Sequence, residues 1–218
     1  MHKIVKTVFV LFLILAAQIT PIFGNLMLRA QSKDSIILAG GCFWCVEADF
    51  EKVKGISEVI SGYTGGFVEN PTYKQVVKGG TGHYEAVIVH FDPEIITTKN
   101  ILDKFFRSID PTDSGGQFCD RGHSYKSAIF ATPNQILIAK NALLEAQSIL
   151  GETIVTPILE ADIFFTAEDY HQDYYKGENL IFTRFGPIKQ KNAYKRYRAA
   201  CGRDKRLKEL WGKAAFLK

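Results

Sequence analysis

Apolar and polar positions change period several times along the chain, and each change marks an element. Ser35–Ala39 is a short apolar run stopped by Gly40-Gly41, the pattern of a buried strand entering a tight turn. From Cys42 the spacing becomes helical, with Phe43, Val46, Phe50 and Val53 recurring every three or four residues until Gly55. Ile56–Ser61 and Tyr84–Phe91 read as strands. Between them Gly62–Gly82 holds six glycines and a proline, which predicts a loop with one turn at Thr72–Val77. Helical spacing returns at Ile101, Leu102, Phe105, Phe106 and Ile109 and stops at Asp110-Pro111. Asp110–Tyr125 is a polar, glycine-containing loop, and Ser127–Ala131 a strand. Pro133–Leu150 has proline in its first turn and Gly151 after its end, as a long helix should. Pro157–Phe164 predicts another strand, and Ala167–Lys176 and Asn192–Ala200 two further helices. Strands alternating with helices predict a mixed α/β or α+β layered fold. Without a repeat or low-complexity linker, residues 31–188 read as one domain. The two long loops are where function is expected.

Charge and composition refine this picture. The 218 residues, 46% hydrophobic and 23% charged, exclude a disordered or multi-span membrane chain. The net charge of +4 divides unevenly, with +3 in residues 1–30, −8 in 31–188 and +9 in 189–218. An acidic body argues against nucleic acid as a partner, and the basic tail reads as a solvated, charged terminal helix. Lys3 and Lys6 precede Thr7–Leu28, a stretch without charge whose apolar centre is Val8–Ala17. That is the form of a signal peptide, and it predicts an exported, periplasmic protein, membrane-anchored only if the leader stays uncleaved.

Cys42 follows two glycines at a predicted helix start, where free N–H groups and the helix dipole lower a thiol pKa and make a nucleophile. A small buried thiol is the plainer alternative. Cys42-Phe43-Trp44-Cys45 has the spacing of a redox pair or of half a zinc site. The second half is missing, so no metal is expected. On the residues alone, a thiol–disulfide oxidoreductase using Cys42 and Cys45, and a non-enzymatic peptide-binding domain, both stay open.

GCFWCVEADF (41–50), SGYTGG (61–66), NPTYKQV (70–76), GTGHYEAVIVHFDP (80–93), DRGHSYKSAIF (120–130) and AEDYHQDYY (167–175) occur in one order. Together they resemble the A-type peptide methionine sulfoxide reductases, from about Ile36 to Tyr175. The resemblance implies a two-layer α+β sandwich with a ferredoxin-like core. It implies thiol-dependent reduction of methionine S-sulfoxide, free or in proteins, with no cofactor and a thioredoxin-like reductant. Cys42 matches the family's nucleophile and Glu85 its acid. Period two puts Glu85 on one strand face with Val87, Val89 and Phe91, an apolar setting that raises a carboxyl pKa. Tyr73 and Tyr125 match the tyrosines that bind the sulfoxide oxygen, Phe43 and Trp44 the wall for the S-methyl group, and Asp120 an aspartate near the substrate. His171 reads as structural support. The thiol that resolves the Cys42 sulfenic acid is expected in the order Cys201, Cys45, Cys119.

Overall fold

A computed structural model describes residues 33–216 of the chain. The leader expected at residues 1–30 lies outside the described residues. The first three expected strands form as β1 (Asp34–Gly40), β2 (Ile56–Thr64) and β3 (Tyr84–Phe91), with helix α1 (Phe43–Phe50) after β1. A short helix α2 (Tyr73–Lys78) interrupts the glycine-rich loop, and α3 (Thr98–Phe106) follows β3. Two-residue ladder strands β4 (Gly116–Gln117) and β5 (Asp120–Arg121) close the polar loop before β6 (Ser127–Ala131). Helix α4 (Pro133–Leu150) carries proline at its first turn, a Thr132–Gln135 capping box and a left-handed Gly151 after its last turn.

The main sheet, completed by β7 (Ile158–Glu160) and β8 (Phe165–Thr166), has the order β7-β6-β1-β3-β2-β8. Only the β6–β7 pair is parallel. The inner four strands, β6-β1-β3-β2, alternate with α1 and α3 in the β-α-β-β-α-β sequence of a ferredoxin-like core. Period two sorts each strand. Ile36, Leu38, Val87, Val89 and Phe91 face α1 and α3, where Phe43, Val46, Phe50, Ile101 and Phe105 complete the larger core. Ile37, Ala39, Ala86, Ala128 and Phe130 make a smaller cluster on the other face. Glu85 is on the helix side and fully buried.

Three expectations are corrected. Ala167–Lys176 is not a helix but two single 3-10 turns, Asp169–His171 and Tyr174–Lys176. Its side chains bond outward instead. Gln172 reaches the backbone of Ser61, and Glu168 accepts from the Tyr73 N–H and the Tyr63 hydroxyl. The expected strand Pro157–Phe164 shortens to β7, and β8 begins only after Phe164, at the opposite edge of the sheet.

The third correction concerns the basic tail. A hairpin of β9 (Leu180–Thr183) and β10 (Gly186–Lys189) leads into α5 (Gln190–Ala200) and α6 (Arg203–Trp211). Ala193, Leu207 and Trp211 are buried, so this segment is part of the packed body and not a solvated tail. Arg203 is buried with them. Its guanidinium donates to Gly40 O at 3.2 Å and Ser108 O at 2.8 Å, and lies 3.8 Å from the Asp49 carboxylate. Arg198 meets the same Asp49 at 3.0 Å. Removing Arg203 would leave the buried Gly40 and Ser108 carbonyls without this donor and Asp49 with one guanidinium fewer. Arg203→Ala should therefore cost about 3–5 kcal/mol of stability, read as a lowered urea midpoint.

Candidate active site

The site forms where the C-terminal end of β1 meets the N-termini of α1 and α2 and the start of β3. Gly41 turns the chain from β1 into α1 with φ +79°, and a Cβ there would sit 2.5 Å from the Gln117 Cβ. Gln117 in turn is locked to the loop by hydrogen bonds with the backbone of Asp110, as acceptor at 2.8 Å and donor at 2.7 Å. Gly41→Ala meets both strain and collision and should cost about 2 kcal/mol or more in a denaturant titration.

Cys42 occupies the N-cap of α1, one residue before the helix, and is half-buried. The first free helical N–H, that of Phe43, does not face the sulfur. It donates to Glu85 Oε2 at 3.2 Å. The expected lowering of the Cys42 pKa is accordingly not found. Its hydrogen bond with Cys45, burial, and the charges of Cys45, Glu85 and Asp120 all push it up. The same hydrogen bond lowers Cys45 to about 7; burial opposes this, and Arg203 and Arg198 assist it. The thiol of Cys42 thus keeps its proton in the open site.

Glu85 shows the reverse of a surface carboxyl. Burial raises it to about 8, helped by Asp120 and opposed by the Phe43 N–H and by Tyr125. It is a carboxylic acid at neutral pH. Tyr73 and Tyr125 hydrogen-bond one another, and both phenols are pushed up by burial and by Glu85, so they remain donors. Burial raises Asp120 as well, against the opposing charges of Arg203 and Arg184.

The aromatic wall is held from behind. Trp44 stacks on Tyr174 at 3.8 Å with rings 6° from parallel, and its indole donates to His171 Nδ1 at 3.1 Å. Burial lowers His171 to about 4. The ring is neutral at physiological pH, and the Trp44 bond places its proton on Nε2. Phe43 packs against both His171 and Tyr73.

Cys42, Phe43, Trp44, Cys45, Tyr73, Glu85, Cys119, Asp120, Tyr125 and Cys201 all line one cavity of about 420 Å³. His171 stands behind it. The four cysteines divide into two pairs. Cys42 and Cys45 are free, whereas Cys119 and Cys201 form a disulfide across 82 residues. Among the described residues, Cys119, Asp120 and Cys201 form the one group close enough to hold a metal ion, but both its sulfurs are used by the disulfide. No described helix is long and apolar enough to cross a membrane.

Sequence reasoning missed Arg198, Arg203 and Tyr194 beneath the cysteines, and the β9 residues at the rim.

The family model for peptide methionine sulfoxide reductase matches residues 34–215. The chain belongs to this family. It is 46% identical over 186 residues to peptide methionine sulfoxide reductase MsrA 2 of Caulobacter vibrioides, covering 85% of this chain and 89% of that one. Against the MsrA of Bacillus subtilis the identity is 42%, over 84% of this chain and 98% of its relative. Among solved structures, methionine sulfoxide reductase A of Corynebacterium diphtheriae superposes with a TM-score of 0.64, at 30% identity over 75% of this chain and 83% of that one. The matched residues include the whole body that carries the cavity, with α5 and α6.

Proposed function

We propose the following division of labour for the thiol-dependent reduction of methionine S-sulfoxide that family membership assigns to this chain. The observation that carries it is the meeting of a thiol, a protonated carboxyl and two phenols in one cavity beside an aromatic wall. The S-methyl group rests against Phe43 and Trp44. Tyr73 and Tyr125 donate to the sulfoxide oxygen, and Glu85 supplies a proton to it and takes up the proton that the Cys42 thiol loses. Cys42 sulfur takes the oxygen and gives up two electrons. A sulfoxide and a thiol become a sulfide and a sulfenic acid, so atoms and electrons balance.

Cys201 then attacks the sulfenic sulfur, water leaves, and a Cys42–Cys201 disulfide forms. Cys119 exchanges onto Cys201, which frees Cys42 and leaves the Cys119–Cys201 bridge. This order is supported by the bridge itself and by the shared cavity. Cys119 is the exposed member, where a thioredoxin-like dithiol could attack. The leader pattern of residues 1–30 supports an exported enzyme, which the N-terminal sequence of the mature protein would test.

The reaction itself is tested with dithiothreitol and a peptide carrying either sulfoxide epimer. The expected result is consumption of the S epimer alone. Consumption of neither by folded, reduced protein would remove the assignment.

A further inference from the structure

The cavity extends beyond the groups that the reaction needs. A methionine sulfoxide side chain has five heavy atoms, which at ~30 Å³ each occupy on the order of 150 Å³. The cavity measures about 420 Å³. Part of the excess is bounded by Ile181, Phe182 and Thr183 of β9 and by Arg184 of the turn after it, which line the space that holds Cys42.

β9 is a fixed wall. It pairs with β10 through four residue pairs, and Lys189 and Lys191 both meet Glu178 at the hairpin base. The Thr183 hydroxyl donates to Gly186 O across the turn at 3.1 Å. Arg184 lies over the rings of Phe185 and Tyr197. Along this strand alternate residues behave differently. Ile181 and Thr183 are half-buried, but Leu180 is 67% and Phe182 88% exposed. Two large apolar side chains therefore stand on one strand face and contribute almost nothing to the core. Phe182 also lines the cavity that holds Cys42, and Leu180 stands two residues before it on the same strand face.

We propose that Leu180 and Phe182 form a docking surface for the polypeptide around the oxidised methionine, selecting substrates with an apolar side chain flanking it. The inference rests on the functional reading above and on the continuity of β9 with that cavity. It makes the chain selective for oxidised methionine in apolar sequence, the kind exposed when a protein core opens. An apolar flank buried against Phe182 would gain the transfer energy that a free amino acid cannot.

The test compares three substrates with dithiothreitol as reductant. They are N-acetyl-methionine S-sulfoxide, a pentapeptide with leucine on both sides of the sulfoxide, and one with serine on both sides. For the unaltered chain, kcat/KM should favour the leucine peptide over the serine peptide by about tenfold, the scale of one partly buried apolar side chain. The double variant Leu180→Ser, Phe182→Ser should reduce that preference below about twofold, mainly through KM, while Phe182→Leu retains it. Both positions are exposed, so folding is not at stake. A preference that survives the double variant would overturn the proposal. So would an equal loss on all three substrates, or no preference in the unaltered chain. Failure to reduce any of the three would instead remove the reaction, and the docking surface with it.

Discussion

Cys42→Ser is expected to abolish reduction of the S epimer, with kcat/KM falling by a factor on the order of 10⁶, the scale on which a covalent nucleophile is missed. The serine hydroxyl fits the same N-cap, so the fold should be unchanged, and an unaltered urea midpoint would establish that. What serine lacks is a sulfur that can accept an oxygen and surrender two electrons. The neighbouring Cys45 should not rescue the variant. It is buried, with Arg198 and Arg203 acting on it, whereas Cys42 is half-buried. Residual activity in Cys42→Ser that disappears only when Cys45 is also replaced would show that Cys45 can act as the nucleophile, contrary to the assignment.

The second large effect belongs to Glu85. Its carboxyl is protonated because burial raises it to about 8. The working form is the acid, so kcat/KM should be full below about pH 7 and fall as the pH rises through about 8. Cys42 is itself pushed well up, so it remains a thiol across this range. Glu85→Gln keeps the shape and a hydrogen-bond donor but cannot deliver a proton. It should lose a factor of about 10²–10⁴, the range for a positioned general acid, and the decline near pH 8 should vanish with it. A glutamine variant that is slower but retains the same decline would assign that proton to another group, Tyr125 or Cys45 being next to it.

Much of this arrangement was legible in the chain. The alternation in Tyr84–Phe91 put Glu85 on the same face as Val87, Val89 and Phe91, and all four are buried there. The Gly40-Gly41 pair marked the turn that presents Cys42, and the two long loops do supply Tyr73, Cys119, Asp120 and Tyr125. What was not legible has a common cause. Arg203, Leu207 and Trp211 follow helical spacing, but an arginine at a core position reads as surface. Its burial depends on Gly40, Asp49 and Ser108, which no local pattern links to it. The hairpin was hidden because its turn is Arg184-Phe185 and not one of the Asn-Gly or Asp-Gly pairs that announce two-residue loops. The failed helix at Ala167–Lys176 has helical spacing, yet Glu168 and Gln172 bond to other segments and hold the backbone open. The direction of the Cys42 shift was misjudged for a related reason. The helix-end amide expected to stabilise a thiolate is taken by a carboxyl 42 residues away.

The bond from Arg203 to the Gly40 carbonyl spans 163 residues. It ties the turn before Cys42 to the beginning of the last helix, and so it has a meaning for the order in which the protein is made. A chain emerging from the ribosome N-terminus first presents Cys42 early and the arginine that bonds the turn before it late. Until α6 has emerged, every strand of the main sheet has been made, but the turn before Cys42 still lacks the bond that Arg203 gives it.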